Sequence, residues 1–597
     1  MKQFFKFVLA SMVGVVLATV VIAAITVAMI AGVIAAAAGG DKAVTVDANS
    51  ILHVKFDYPI NERTPNNPLA NFNFLGLEGE KSVGLNDILA SIRKAKSDKN
   101  IKGIFLDEGY MMSGQATTEE VRNALIDFKK SGKFIVAYSE VYTQGFYYLA
   151  SVADKIYINP KGIFEFNGFS SEITFFKGAL DKLGIEAQII KVGTYKSAVE
   201  PYFLTKMSDA NRLQVTSYLG SLYDHFLTGI SKNRGVNKDT LFNIANSGRI
   251  QEAEDALKYK LVDGLKYKDE ILLDLKQRTG IAAKKDLNSV DLDEYVKVNL
   301  DDKDTNLDKA SSGDRIAVVY ASGEISGGEG DDNSIGSEKI SKAIRQVRLD
   351  DKVKAVVLRV NSPGGSSLAS DVIWREVMLT KKVKPIIVSM GDVAASGGYY
   401  ISCAADSIFA EPNTITGSIG IFAVLPNMQK LFNDKLGVTF DGVKTGKFAD
   451  LGDISRPLTP EERLILQTSV NRGYDDFTKA VAQGRGKTQA YINSIGQGRV
   501  WTGSQALKIG LVDRLGNIND AVASAAKKAN LKDYKLVTYP EQKSIFNKFG
   551  SGLSAEVKSR FVKAELGDNY RVYEQIKGLT KMMRTPQARL PYDVVIR

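Results

Sequence analysis

The chain of 597 residues contains an internal repeat, which restricts its fold more than any other feature of the sequence. The apolar run Ile101–Leu106 matches Val353–Leu358 at a distance of 252 positions, and Ala153–Ile156 matches Ala405–Ile408 at the same distance. A spacing that recurs along both halves is typical of a duplicated domain. We therefore expect two domains of one fold, each long enough to bury its own core.

Within each half, short β-rich runs alternate with amphipathic helical stretches. This alternation predicts an α/β fold, with parallel sheets joined by right-handed crossover helices. In the second half, the predicted strands are Ile316–Tyr320, Ala355–Val360 and Pro385–Ser389. The predicted helices of that half are Ser337–Val347, Leu368–Leu379 and Pro460–Gln483.

Composition and the repeat together divide the chain into five segments. An apolar segment (1–40) precedes the first repeat (41–290), and a stretch rich in Asp, Lys and Ser (291–314) is expected to link it to the second repeat (315–535). The last segment (536–597) has no counterpart in the repeat, and its sequence does not indicate a role.

The N-terminal segment predicts a transmembrane helix. Lys2 and Lys6 precede the run Phe7–Gly40, which contains no charged residue. A signal-peptide core needs about 7–15 apolar residues and a spanning helix about 20, so this run is long enough to span. The lysines before it favour a cytoplasmic N-terminus, with the rest of the chain outside the cytoplasm. The alternative is a cleavable signal that ends near Ala36–Ala38.

Several functional classes are disfavoured by composition. The net charge is +10, but the basic residues are spread along the chain, so we expect no nucleic-acid partner. Cys403 is the single cysteine, which excludes an internal disulfide, and with only two histidines a zinc site is not expected. No Walker A string or dinucleotide glycine motif follows a predicted strand, so we expect no cofactor.

Ser396 is the candidate nucleophile. It follows the apolar run Pro385–Val388 and lies between small residues, a pattern that indicates a nucleophile on a strand-to-helix turn. The equivalent position of the first repeat, 252 residues earlier, is Gln144. Because His53 and His225 are the only histidines, a lysine becomes the main candidate for the base, and a triad with His225 is a weaker alternative.

Two glycine-containing loops follow neighbouring predicted strands. Gly365 lies in the loop Asn361–Ser366, and Gly397 follows the candidate nucleophile directly. The carboxyl ends of parallel strands meet at one edge of a sheet, so we expect the backbone amides of Gly365 and Gly397 to form an oxyanion hole. Ser362 and Ser366 are expected to serve as turn and cap residues.

These motifs resemble the signal peptide peptidase A (protease IV) family, which comprises serine proteases related in fold to Clp protease and crotonase. The resemblance rests on Asn-Ser-Pro-Gly-Gly at 361–365, Gly-Asp-Val-Ala-Ala-Ser-Gly-Gly-Tyr-Tyr at 391–400 and Thr-Gly-Ser-Ile-Gly-Ile-Phe at 416–422. It covers nearly the whole chain and fits the long, duplicated form of the family. In that form the base is a lysine in Gly-Thr-Tyr-Lys-Ser-Ala-Val-Glu-Pro, present here at 193–201, which implies Lys196 as the general base.

The repeat gives an independent check on Lys196. When Lys191 is aligned with Lys444, Lys196 falls opposite Ala449, so each half keeps one member of a serine–lysine pair. Lys447 is a nearby rival, two residues off this register. A lysine with its ordinary pKa of about 10.4 is protonated, so a basic Lys196 must be buried and without a carboxylate partner, which excludes pairing with Glu200.

The resemblance also implies a role for Ser418, assembly and substrates. Ser418 would orient the lysine amine, although the residue pattern fits a turn serine equally well. The implied protein is a membrane-anchored, periplasmic endopeptidase, a bowl-shaped homotetramer that degrades hydrophobic peptides such as cleaved signal peptides. The alternatives are a crotonase-type acyl-CoA enzyme, which would not need Ser396, and an inactive membrane scaffold.

Overall fold

The apolar N-terminal segment forms one long helix, α1 (Lys2–Ala38). In the computed structural model, which describes residues 2–38, 44–65, 82–107, 109–298, 313–331, 334–542 and 586–590, it precedes both repeats. Its stretch Lys6–Ile25 is long and apolar enough to cross a membrane, and none of that stretch is buried against the described chain.

The first repeat folds into a parallel sheet with helices on its faces. Its elements are β1 (Ser50–Val54), α2 (Leu85–Ser97), β2 (Ile101–Asp107), α3 (Gln115–Lys129), β3 (Phe134–Tyr142), α4 (Gln144–Ala150), β4 (Lys155–Phe164), α5 (Lys177–Leu183), β5 (Glu186–Val192), the 3₁₀ turn Ser197–Val199, α6 (Glu200–Phe203), α7 (Asp209–Arg234), α8 (Lys238–Asn246), α9 (Ala253–Lys258), β6 (Gly264–Leu265), α10 (Lys268–Thr279), β7 (Ser289–Asp291) and α11 (Leu292–Tyr295). The order β6-β4-β3-β2-β1-β7 is parallel throughout.

The second repeat contains the same core with additional strands. Its elements are β8 (Arg315–Ser322), β9 (Glu324–Ser326), β10 (Ser334–Gly336), α12 (Ser337–Leu349), β11 (Val353–Ser362), β12 (Gly364–Ser366), α13 (Ser367–Lys381), β13 (Ile386–Ala395), α14 (Gly397–Ser402), β14 (Ser407–Ala410), β15 (Ile415–Gly417), β16 (Ile421–Asn427), the π-helical turn Leu431–Leu436, α15 (Pro460–Arg485), α16 (Gln489–Ile495), β17 (Val500–Thr502), α17 (Gly503–Lys508), β18 (Arg514–Leu515), α18 (Ile518–Lys528), β19 (Lys535–Tyr539) and β20 (Gln587–Arg589).

The duplication is visible in the strand order. The parallel path β18-β14-β13-β11-β8-β19 of the second repeat corresponds strand by strand to that of the first. The predicted α/β class and tandem duplication are therefore confirmed, and so are the predicted strands and helices of the second half. Strand β13 runs six residues beyond the predicted Ser389, because its last part pairs with β15.

The boundary between the first repeat and the linker differs from the composition-based prediction. Leu292 and Tyr295 of α11 are buried in the core of the first domain. The first domain therefore extends past residue 290. Composition does not indicate this, because α11 is short and is surrounded by polar residues. Residues 299–312 of the predicted linker lie outside the described part of the chain.

A third sheet joins the two repeats. Its order is β10-β9-β12-β20-β16-β5, and β5 is contributed by the first repeat. Seven residue pairs, from Val192 opposite Ile421 to Glu186 opposite Asn427, connect β5 and β16 in antiparallel register. Because the loop after β5 contains Lys196, this pairing brings Lys196 of the first repeat to the second repeat.

A buried ion cluster also connects the repeats. Arg359 is completely buried on β11, and its guanidinium group lies 2.8 Å from Glu62 Oε2 and 2.6 Å from Glu120 Oε1, both from the first repeat. Burial raises the pKa of Glu120 to about 7, against the opposing attraction of Arg359. Asp392 extends the connection, since the amide and hydroxyl of Thr117 both donate to its carboxylate.

The Arg359 cluster generates a stability prediction. Arg359→Met leaves two buried carboxylates without their cation, so we expect the free energy of unfolding to fall by about 3–5 kcal/mol. Combining Arg359→Met with Glu62→Gln and Glu120→Gln removes the unpaired charge and should recover much of that loss. Urea denaturation followed by fluorescence measures both effects. A single variant as stable as wild type would show that the cluster does not hold the repeats together.

Candidate active site

Ser396 lies on a strained turn between β13 and α14. Its φ of 56° and ψ of −113° are unusual for a residue with a side chain, and such strain is found mainly at functional sites. The amide of Ser396 donates to the carbonyl of Gly417 at 2.8 Å, which helps to hold this conformation. The side chain is fully buried in the described chain.

Lys196 reaches Ser396 from the other repeat. The amide of Tyr195 donates to the carbonyl of Gln497 at 2.8 Å, which ties the loop after β5 to the second repeat. Gly498 has a φ of +79°, and a Cβ at this position would lie 2.6 Å from Lys196 Cα. The backbone of the second repeat therefore approaches Lys196 so closely that only glycine fits at position 498.

The lysine amine contacts two serines. Lys196 Nζ lies 2.8 Å from Ser396 Oγ, 3.1 Å from Ser418 Oγ and 3.2 Å from the Ser418 carbonyl oxygen, and all three residues are fully buried. Ser418 itself adopts a positive φ of 51°, and its amide donates to the Arg499 carbonyl. Lys196 is thus buried and within hydrogen-bond distance of both Ser396 and Ser418.

No acidic side chain neutralises this amine among the described residues. Glu200, four residues along, instead accepts hydrogen bonds from Ser208 and Asn211. Burial lowers the pKa of Lys196 well below its ordinary value, because the charged ammonium loses its hydration. The amine can therefore be neutral, which a base requires.

The two glycine loops lie against each other, since a Cβ at Gly364 would be 2.7 Å from the amide nitrogen of Gly397, which follows Ser396 directly. Gly397 is the first residue of α14, and Gly365 is the central residue of β12. The loop between β11 and β12 is held by Ser362, whose hydroxyl donates to the Gly323 carbonyl at 2.6 Å and accepts from the Gly364 amide at 3.1 Å. Ser366 caps α13 by accepting from the Ala369 amide. The turn and cap roles expected for these two serines are confirmed.

The alternative candidates for the base, Lys447 and the two histidines, have partners other than Ser396. Lys447 is exposed and paired with Glu461 at 2.7 Å, and Ala449 is also exposed. His225 contacts Glu119 at 3.0 Å and Tyr148, and His53 lies between Asp107 and Asp291. Among the described hydrogen bonds, neither histidine has Ser396 as a partner.

Gln144 occupies the position in the first repeat that is equivalent to Ser396. It begins α4 after β3, as the Ser396 turn follows β13. Its side-chain amide accepts from the amides of Asn167 and Gly168 and donates to the Gly168 carbonyl at 2.9 Å. Gln144 thus holds the loop at Asn167 and Gly168 in place.

Two contributions to the site were missed by sequence reasoning. Gly498 and Gly420 pack against Lys196, and a Cβ on Gly420 would lie 3.1 Å from Lys196 Cδ. Gly420 is part of the motif at 416–422, but nothing in one sequence relates Gly498 to a lysine about 300 residues away. Only the folded chain brings these positions together.

A buried lysine amine at hydrogen-bond distance from a serine on a strained turn is an arrangement found in serine hydrolases that use a lysine base. The sequence matches the model of Peptidase family S49 at residues 127–282 and again at 378–532, once in each repeat. The chain therefore belongs to peptidase family S49 and is a serine protease.

The chain is similar over most of its length to relatives that are named as proteases. Protease 4 of Salmonella typhi is 39% identical over 487 residues, 80% of this chain and 77% of that protein. Protease 4 of Haemophilus influenzae is 38% identical over 76% of this chain and 75% of its own length. The chloroplastic serine protease SPPA of Arabidopsis thaliana is 36% identical, over 75% and 66% respectively. This family membership favours neither the acyl-CoA enzyme nor the inactive scaffold.

The burial of Lys196 predicts a cost in stability. Its pKa is lower in the folded than in the unfolded chain, so between these two values the unfolded chain binds the additional proton, and the free energy of unfolding rises with pH. Lys196→Met removes this penalty while keeping a similar volume. We expect its melting temperature at pH 7 to exceed that of wild type by about 2 °C or more, and the difference to shrink towards pH 10.

Calorimetry at pH 7, 8.5 and 10 measures this difference. Lys447→Met is the matched control, because Lys447 is exposed and its replacement should leave the melting temperature nearly unchanged. A Lys196→Met protein that melts below wild type at every pH would contradict the proposed penalty.

Proposed function

We propose that this serine protease is an endopeptidase in which Ser396 is the nucleophile and Lys196 the general base. The observation that carries the proposal is the 2.8 Å contact between Lys196 Nζ and Ser396 Oγ in a fully buried site. A neutral amine has two N–H groups and one lone pair. If the two N–H groups donate to the hydroxyl and carbonyl oxygens of Ser418, the lone pair is left for the hydroxyl proton of Ser396.

The reaction then follows from this geometry. Ser396 Oγ attacks the carbonyl carbon of a peptide bond and transfers its proton to Lys196 Nζ. The amides of Gly365 and Gly397 stabilise the oxyanion, a contribution that is typically worth about 3–4 kcal/mol per donor. Lys196 then protonates the leaving amine, and water hydrolyses the acyl ester with Lys196 acting again as base.

Hydrophobic peptides, including signal peptides released into the membrane, are the proposed substrates. Ala395, the residue before the nucleophile, belongs to a cluster of buried apolar side chains that includes Val215, Tyr218, Leu222 and Ile415. The strand end that carries the nucleophile is thus packed among apolar side chains, which agrees with apolar peptide substrates. Helix α1 supports the proposal, because an anchor of this length would keep the site close to the bilayer.

Peptide hydrolysis tests the proposed base. Purified wild type should hydrolyse a hydrophobic chromogenic peptide, and Lys196→Ala should lose at least about 100-fold in kcat/KM, since proton transfer by a positioned base contributes about 10²–10⁴-fold. Lys447→Ala is the control and should match wild type. An active Lys196→Ala protein with intact fold would assign the base to another residue.

We further propose a membrane-anchored homotetramer with its domains outside the cytoplasm. The lysines before the span of α1 support this orientation. A run of exposed large apolar side chains within residues 436–451 supports subunit contacts, since exposed apolar surface is typical of interaction sites. It comprises Leu436, Val438, Phe440, Val443, Phe448 and Leu451.

Fractionation followed by ultracentrifugation tests the anchor and the assembly. The full chain should sediment with membranes, resist carbonate extraction and, in detergent, have the mass of four chains. Phe440→Asp combined with Val443→Asp should shift it towards smaller species. A carbonate-soluble chain would contradict the anchor, and a monomer in mild detergent would contradict the tetramer.

A further inference from the structure

Exposed lysines line the edge of the first domain at which its parallel strands begin. Because every strand of the sheet β6-β4-β3-β2-β1-β7 is parallel, the first residues of these strands share one edge. The topology therefore gathers lysines that are spread over residues 99–285 of the sequence. This lysine edge comprises Lys99 and Lys102 at the start of β2, Lys155 at the start of β4, Lys260 before β6, and Lys284 and Lys285 before β7.

Several acidic residues near this edge are engaged by other groups. Asp154 lies 2.8 Å from the amine of Lys129, and Asp127 lies 2.8 Å from the amine of Lys96. Asp98 is buried and accepts a hydrogen bond from the hydroxyl of a buried tyrosine at 2.8 Å. These carboxylates therefore do not neutralise the lysine edge.

The lysine edge carries a net positive charge. Among the ion pairs of the described residues, none includes a lysine of this edge. Asp47 and Asp286 are the exposed acidic residues beside these lysines. Two carboxylates against six amines leave an excess of positive charge that faces solvent.

The chain that arrives from α1 enters the domain at the same edge. The side-chain amide of Asn100 donates to the Val46 carbonyl at 3.0 Å, and that of Asn288 donates to the Ala48 carbonyl at 3.0 Å. The lysines of β2 and those before β7 thus flank the incoming chain on either side. Val46 follows Ala38, the last residue of α1, by about eight residues, which an extended chain spans in at most about 28 Å.

We propose that the lysine edge binds the anionic phosphate headgroups of the bilayer that holds α1. The inference rests on the proposed anchor and adds the class of lipid that the first domain recognises. Each lysine near an anionic membrane surface strengthens binding about fivefold. Lysines of a large folded domain do not oppose the proposed orientation of α1, because the charges close to the ends of a span determine it.

This contact also orients the first domain. Its strands begin at the lysine edge, so with that edge on the membrane they lead away from the bilayer. The opposite ends of the strands, at Asp107 of β2 and Tyr142 of β3, then point away from the membrane.

Energy transfer from the lysine edge to the bilayer tests the proposal. Cys403 is the single cysteine and is fully buried, so Ala283→Cys provides one exposed position for a donor dye, next to Lys284. The labelled full chain is reconstituted in phosphatidylcholine vesicles that contain an acceptor lipid, with or without about 30% phosphatidylglycerol. Transfer should be higher with phosphatidylglycerol at about 20 mM salt, and about 500 mM salt should remove the difference by screening.

Charge variants assign the effect to this edge. Replacement of Lys99, Lys155, Lys284 and Lys285 by glutamine should remove at least half of the increase that phosphatidylglycerol causes. The matched control makes the same change in charge at exposed lysines outside the edge, on or beside α5, α6 and the π-helical turn, and should keep the increase. The control lysines are Lys182, Lys206, Lys430 and Lys435.

Flotation of every sample with neutral vesicles separates this inference from the proposed anchor. A full chain that does not float with phosphatidylcholine vesicles overturns the anchor, and the inference fails with it. A chain that floats but shows equal transfer with and without phosphatidylglycerol overturns the inference alone. An equal loss in the control variant also overturns it, because the effect would then depend on total charge and not on the lysine edge.

Discussion

The contact between Lys196 and Ser396 can support proton transfer only under one constraint: the lysine amine must be buried without a compensating charge. Burial is what lowers the pKa of Lys196, and a nearby carboxylate would restore it. The structure meets this requirement by building the site where two domains meet. Strand β5 pairs with β16, and Gly498 allows the backbone of the second repeat to approach Lys196 closely. The Arg359 cluster on β11 forms a second connection between the two repeats.

The two repeats differ at the positions equivalent to Ser396 and Lys196. Each repeat keeps the scaffold, with a strand-to-helix turn at Gln144 and at Ser396. The turn of the first repeat now holds a loop in place, because Gln144 accepts a hydrogen bond from the Gly168 amide. The position equivalent to Lys196 in the second repeat is the exposed Ala449. Neither repeat therefore has a serine at the first position together with a lysine at the second.

Local and repeated patterns could be predicted from the sequence, whereas pairings between distant segments could not. The strands, helices and glycine loops follow from periodicity and composition. The family motif at 193–201 implies Lys196, and the repeat assigns Lys196 and Ser396 to different halves of the chain. The pairing of β5 with β16, the Arg359 cluster and the insertion of β20 all depend on contacts over more than 150 residues. The segment Gln587–Arg589 is three residues long, too short for a strand period, so its sequence gave no signal.

The most direct test of the account is the rate at which a fluorophosphonate acylates the protein, measured against pH and mapped by peptide mass spectrometry. If Lys196 is the neutral base for Ser396, the label forms on Ser396, its rate falls as acid protonates Lys196, and Lys196→Ala abolishes labelling while the protein stays folded. Labelling of Ser396 at an unchanged rate in Lys196→Ala, or labelling of another serine, would contradict the account.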